Sequence, residues 1–233
     1  MKTLTTHGCS FTENINNGFY IGVEDTLDKD FDFVNYGRNS NSNQGILETA
    51  ITVPSKSIAE IQWSTLTRRL EWETDEEYEN VVYNPNAIFL FLDKWIQQVK
   101  TITTLLEQRE VKTFQYIGWA QWKDSELNDE YREKLRDLPI HWFESKEQQD
   151  LIQANCWQIE ENPSKWSTEK DGVIIYPKLE WGGMSEWIRE NIDIDDRYIG
   201  YNHQSDSKWF DPHPSAIAGK EFYEQVIYPF IYE

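Results

Sequence analysis

A chain of 233 residues, 39% hydrophobic and 27% charged, has the make-up of one sizeable folded domain, or at most two small ones, and not of a disordered tail. A formal charge of −19 and a pI near 4.6 give a surface that repels phosphate backbones and anionic lipid, which argues against nucleic acid as a partner and is read first as solubility. No run of about 18 apolar residues is present to span a membrane, the opening MKTLTTHGCSFTEN lacks an apolar secretory stretch, and Cys9 and Cys156 make no disulfide framework; the expected setting is reduced and cytoplasmic, with a virion-mounted or lysis-released protein giving the same signature.

In chain order, residues 2–6 are β-prone and run into the small-residue turn His7-Gly8-Cys9-Ser10. A second β-prone run, FDFVNY at 31–36, ends at Gly37 and the polar cluster RNSNSN. Residues 44–53 read as a helix that stops at Pro54, and 57–63 as a third strand ending in another polar turn. After Asn84-Pro85, the residues Ile88, Leu92, Trp95, Val99, Ile102 and Leu106 recur at steps of four and three, which places them on one face of a helix. Residues 113–117 predict a fourth strand, 126–136 a charged, exposed helix and 172–176 a further strand. The last element, 216–227, reads as a helix with Phe222, Val226 and Phe230 inward.

Strands that alternate with helices predict a parallel sheet covered on both faces. Ligands of such sheets bind outside the carboxyl ends of the strands, so the polar turns after the first three strands should share one functional edge. Segment 70–83 is too acidic for a core and is read as an insertion at the rim of the site; 142–187, rich in Trp, Asn and Gly, is read as an irregular lid or embellishment. The expected organisation is one domain, 1–233, with insertions near 68–84 and 142–190.

Two places carry candidate chemistry. Gly8-Cys9-Ser10-Phe11-Thr12 sets a serine just past the first strand, after a glycine that permits a sharp turn, where the amides of a following helix would favour developing negative charge. Taken alone, such a serine is more often a turn residue or an N-cap. Near the other end, Phe210-Asp211-Pro212-His213-Pro214-Ser215 precedes the last helix. In an extended segment Asp211 and His213 point to the same side, and an adjacent carboxylate orients an imidazole and raises its basicity. The alternative is a structural turn with proline at the first helical position. Cys9 is a second candidate nucleophile, thiolates being the stronger ones. His203 reads as a solvated loop residue, and His7 and His141 as structural or exposed. No zinc spacing and no phosphate-cradling Gly-x-x-x-x-Gly-Lys loop is present.

Taken together, the two blocks resemble the GDSL/SGNH hydrolase family, including phage-encoded members. In that family a Gly-Asp-Ser block follows the first strand and an Asp-x-x-His block precedes the last helix. Here Cys9 stands where Asp is usual, and Asp211 and His213 are one residue closer together. The resemblance implies a three-layer α/β/α sandwich with a mostly parallel, flavodoxin-like five-stranded sheet. It implies Ser10 as nucleophile, His213 as its base and Asp211 as the carboxylate. For the oxyanion hole it implies the amide of Ser10, an amide at Ser40 in the cluster after Gly37, and Ser64 of Gln62-Trp63-Ser64, which stands where the family has Asn. The reaction implied is two-step acyl transfer on a small-molecule or glycan ester, for instance a carbohydrate O-acetyl group, with no metal or organic cofactor, no nucleic acid and no membrane span. The altered second and third blocks leave two other readings open: a binding or structural module on the same fold, such as a phage-associated glycan binder, and a lipid or thioester hydrolase.

Overall fold

The structure, a computed structural model, describes residues 2–9, 12, 31–38, 41–64, 66, 87–119, 122, 126–150, 168–170, 173–176, 178–199 and 211–233. They fall into two compact units. The insertion expected near 68–84 lies outside the described residues.

The first unit is built on β1 (Lys2–His7), β2 (Phe31–Asn35), β3 (Ile58–Trp63) and β4 (Lys112–Ile117). All pair in parallel, in the order β2-β1-β3-β4. Every residue of β3 is buried, as a central strand covered on both faces requires. The register sets His7, Ile61 and Gln115 on one face and Thr6, Glu60 and Phe114 on the other. Helices α1 (Asn43–Ala50) and α2 (Ala87–Gln108) pack on the His7 face. There Thr49 of α1 meets His7, Trp95 of α2 meets the edge of Trp63 at 6.3 Å, and Gln115 Nε2 donates to Thr103 Oγ1 at 2.7 Å.

Helix α1 starts where Ser42 Oγ accepts the Gly45 amide at 3.2 Å, an N-cap that satisfies one of the first orphan donors. Of the stripe read from the sequence, Leu92, Trp95, Val99, Ile102 and Leu106 are buried on α2, and Ile88, near the start of the helix, is only part-buried. Helix α3 (Asp129–Arg136) is charged but not wholly exposed: Tyr131 and Leu135 are buried, and the Tyr131 hydroxyl donates to Asp93 Oδ2 of α2 at 2.8 Å.

The second unit corrects two expectations. The described residues of 142–187 are not irregular. They carry β5 (Phe143–Ser145), β6 (Gln148–Asp150), β7 (Thr168–Lys170), β8 (Val173–Tyr176), β9 (Leu179–Gly182) and the start of α4 (Met184–Asn191). And β8, the further strand read at 172–176, pairs antiparallel with β6 and β7 in a separate sheet, while the parallel sheet has four strands among the described residues where the family resemblance implied five. A four-residue apolar run reports a strand but not its partners. The fold is nonetheless α/β, a parallel sheet flanked by helices, consistent with a three-layer α/β/α arrangement.

The chain then passes through α5 (Ile194–Arg197) into the antiparallel pair β10 (Tyr198–Ile199) and β11 (Asp211–Pro214). Helix α6 (Ala216–Phe222) runs through a π turn, Tyr223–Ile227, into α7 (Tyr228–Tyr232). A π turn inserts an extra residue into the helical repeat. The inward stripe expected at Phe222, Val226 and Phe230 therefore slips by one position after Phe222, and Tyr223, Ile227 and Ile231 are buried while Val226 and Phe230 are only part-buried. The register gives a direct expectation. Ile227→Ala should cost about 2–5 kcal/mol in urea denaturation, and Val226→Ala clearly less; equal costs would contradict the π turn.

Candidate active site

Because β1 to β4 are parallel, their exits, Gly8, Tyr36, Ser64 and Gly118, gather at one edge. The chain order reverses between β1 and β3: β2 lies on one side of β1, and β3 and β4 on the other. In open α/β sheets that switch point opens a crevice for ligands. The turn that follows β1 emerges there.

The edge is stapled by side-chain amides. Asn35 Nδ2 donates to the Thr12 carbonyl at 3.0 Å, and its Oδ1 accepts the Gly37 amide at 2.6 Å. Asn41 Nδ2 donates to the Gly8 carbonyl at 3.1 Å, which also accepts the Arg38 amide at 3.2 Å. Asn43, in the first turn of α1, grips both sides of the Ser64 backbone: its Oδ1 accepts the Ser64 amide at 2.7 Å and its Nδ2 donates to the Ser64 carbonyl at 3.2 Å. Short polar side chains favour such local backbone bonds over helix and sheet ladders.

Gln62 sits at the centre. Its Oε1 accepts from Thr12 Oγ1 at 2.7 Å, from the Cys9 amide at 3.3 Å and from Cys9 Sγ at 3.5 Å. Gln62, Cys9 and Thr12 are all buried. Two glycines make room for the amide: a Cβ on Gly8 would fall on Thr12 Oγ1 and within 2.7 Å of Gln62 Oε1, and one on Gly118 would fall on Gln62 Nε2.

His7, the last residue of β1, lies directly behind this turn and is fully buried. Its Nδ1 and Nε2 are each 3.0 Å from a hydroxyl, of Thr49 and Thr5 respectively, and its ring stacks on Tyr36 at 5.0 Å. Both hydroxyls also donate to backbone carbonyls, Thr49 Oγ1 to Ile46 at 2.9 Å and Thr5 Oγ1 to Ile58 at 3.4 Å. Burial pushes the imidazole pKa down from 6.5 to about 3. His7 is structural, one of the two roles its sequence allowed.

Of the residues the sequence singled out, Ser10 and Ser40 lie outside the described residues, as does His203. Ser64 is buried at the carboxyl end of β3. Cys9 is wholly buried with its thiol turned to Gln62, a placement that suits packing and not attack on a substrate. His213 is part-buried in β11, and Asp211 opens the same strand. Ser64 belongs to the first unit and His213 to the second. Below His213, Ser215 is the N-cap of α6: its Oγ accepts the Ala218 amide at 3.1 Å and donates to the Asp196 carbonyl, and its own amide donates to the Arg197 carbonyl at 2.9 Å. Pro214 thus precedes the cap and does not occupy the first helical position. His141 is exposed, its ring lying against Phe114 at 5.1 Å, and the desolvation that comes with this packing lowers its pKa. Among the described residues no cluster of His, Cys, Asp or Glu could hold a metal ion, and no helix is long and apolar enough to cross a membrane. Asn35, Asn41, Asn43 and Gln62 escaped the sequence reading; their only signal was amide residues clustered at strand exits.

No protein-family model matches the chain, and no curated protein does. Among solved structures, the chain is similar to a crystal structure from Bacteroides fragilis that carries the provisional name acylhydrolase, at 11% identity and a TM-score of 0.34, the alignment covering 58% of this chain and 58% of that one. The match thus spans little more than half of that protein, and a likeness of this degree carries nothing about the activity of this chain.

The histidine behind the turn makes stability pH-dependent. Folded His7 stays neutral down to about pH 3, whereas in the unfolded chain it takes up a proton near pH 6.5. The unfolded state therefore binds more protons across that window, so the contribution is complete above pH 6.5 and is lost as pH falls towards 3. Between those limits the parent should lose about 1.4 kcal/mol per pH unit more than His7→Gln. Parallel urea titrations of the two proteins from pH 7 to pH 4 check this, and parallel slopes would contradict it.

Proposed function

We propose that this chain is a serine ester hydrolase of the GDSL/SGNH kind, with Ser10 as nucleophile, His213 as general base and Asp211 as the carboxylate that orients it. The observation that carries the reading is the place of the turn after β1: it leaves a central parallel strand at the topological switch point, beside the exit of β3. Gly8 and Cys9 begin that turn and Ser10 follows them in sequence. The family resemblance of the two terminal blocks supports the same assignment.

In this mechanism Ser10 Oγ attacks the ester carbonyl carbon as His213 takes the hydroxyl proton. The C–O bond to the alcohol breaks, and the alcohol leaves with that proton. Water then attacks the acyl-serine through the same base, releasing the acid and restoring Ser10. The oxyanion is met by the amide of Ser10, an amide at Ser40, and Ser64. The Ser64 backbone amide is already engaged by Asn43, so its hydroxyl is the donor for this role. The substrate class is a neutral ester of a small acyl group. Trp-rich segments of the sequence and the range of the family favour a carbohydrate O-acetyl ester.

Ser10→Ala and His213→Ala should each lower kcat on a short-chain aryl ester by about 1,000-fold or more, and Ser10→Ala should abolish covalent labelling by a fluorophosphonate. A parent protein that neither turns over aryl esters nor takes the label, and whose Ser10→Ala variant still binds glycans on an array, would replace the hydrolase with a binding module. Acyl-chain-length profiling separates a small-ester hydrolase from a lipid or thioester hydrolase.

A further inference from the structure

The amide of Gln62 is used unevenly. Its oxygen accepts three donors, from the Cys9 amide, the Cys9 thiol and the Thr12 hydroxyl, while its Nε2 is buried with no hydrogen-bond partner. The orientation of the amide is fixed, because the Cys9 backbone N–H can only donate and must face the oxygen. A buried amide nitrogen without a partner costs free energy. The residue is thus placed for what its oxygen does. That oxygen ties together positions 9 and 12, and Thr12 N closes the same turn on the Cys9 carbonyl at 3.0 Å. Ser10 lies between those two positions in sequence.

We infer that Gln62 is a positioning residue: its side-chain oxygen clamps both flanks of the nucleophile turn from the neighbouring strand and so sets where Ser10 stands. This rests on the reading of Ser10 as nucleophile. The clamp crosses the sheet from β3 to the exit of β1, so it ties the nucleophile turn to the strand whose exit carries Ser64. A displacement of about 1 Å in such a turn can cost about 100-fold in rate, which makes a positioning role measurable. The idle Nε2 makes the inference specific. Glutamate supplies the same acceptor oxygen and loses no bond at the other position, and burial against Gly118 favours its neutral form there. Methionine keeps the volume and loses the acceptor.

Fluorophosphonate labelling at Ser10 and ester kinetics are compared for the parent, Gln62→Met and Gln62→Glu, with folding followed by thermal melts and amide exchange by mass spectrometry over residues 7–12. The expected result is a fall of about 10- to 100-fold in labelling rate and kcat for Gln62→Met. KM should stay within about threefold, the 7–12 amides should exchange faster, and Gln62→Glu should recover most of the loss. A Gln62→Met protein that melts lower yet labels at the parent rate would make Gln62 merely structural and overturn the inference. If the parent itself takes no label, it is the hydrolase reading that fails. Exchange over 7–12 then judges the clamp: faster in Gln62→Met than in Gln62→Glu supports it, and equal rates refute it. Should Gln62→Met not fold, Thr12→Val with Thr12→Ser as its rescue removes and restores the 2.7 Å bond from the other side and is read in the same way.

Discussion

A single carbonyl oxygen, Oε1 of Gln62, holds the exit of β1 to the central strand β3, and the rest of the functional edge is arranged around it. A polar side chain at the end of a fully buried strand is costly unless its groups are bonded. Here the cost is offset on the oxygen by three donors from the turn. The geometry then dictates sequence on both sides. Gly8 and Gly118 have no Cβ because the amide and its partner Thr12 occupy that space. The small-residue turn and the long amide are one device, written in two separate parts of the chain.

The edge is held together by neutral groups although the chain carries a formal charge of −19. Asn35, Asn41, Asn43, Ser42, Thr12 and Gln62 supply the bonds, and the histidine behind them is kept neutral by burial. Amide and hydroxyl dipoles do not titrate near neutral pH and are little screened by salt when buried. A site built from them keeps its shape while the surface charge changes around it. That suits acyl transfer, in which charge appears on the substrate oxygen only transiently and is best met by dipoles already fixed in place.

The sequence revealed the layers more readily than the joints. The α2 stripe was legible because Leu92, Trp95, Val99, Ile102 and Leu106 repeat at helical spacing and nothing in the tertiary structure overrides them. The first three strands and their shared edge were legible because β-prone runs ended in polar turns. The partners of β8 were not, since a short apolar run marks a strand but not the sheet it joins, and that choice is tertiary. The slip from Val226 to Ile227 was not, because a π turn leaves no periodic mark before it occurs. At the site, the serine and histidine blocks of the proposed mechanism are readings of the chain alone. The staples were not legible there, because Asn43 and Ser64 are far apart in sequence, as are Gln62 and Cys9, and only the parallel register brings them together.

The segment that carries His213 answers a different physical demand. In the proposed mechanism His213 is the general base, and a general base must be held where its proton transfer is short, so its backbone should have few alternatives. Pro212 and Pro214 fix φ on either side of it. Strand pairing with Tyr198 and Ile199 holds the backbone, and Ser215 then caps α6 while bonding back to Asp196 and Arg197. The helix below is kept in place by Phe222, whose ring packs edge-on against Phe143 at 5.6 Å and Trp187 at 5.3 Å, and the π turn buries Ile227 at its end and lets α7 bury Ile231 beyond it. The stiffness of Asp211–Pro214 therefore comes from both of its ends, strand pairing above and a capped, buried helix below, which is the rigidity that the proposed mechanism asks of the segment carrying its base.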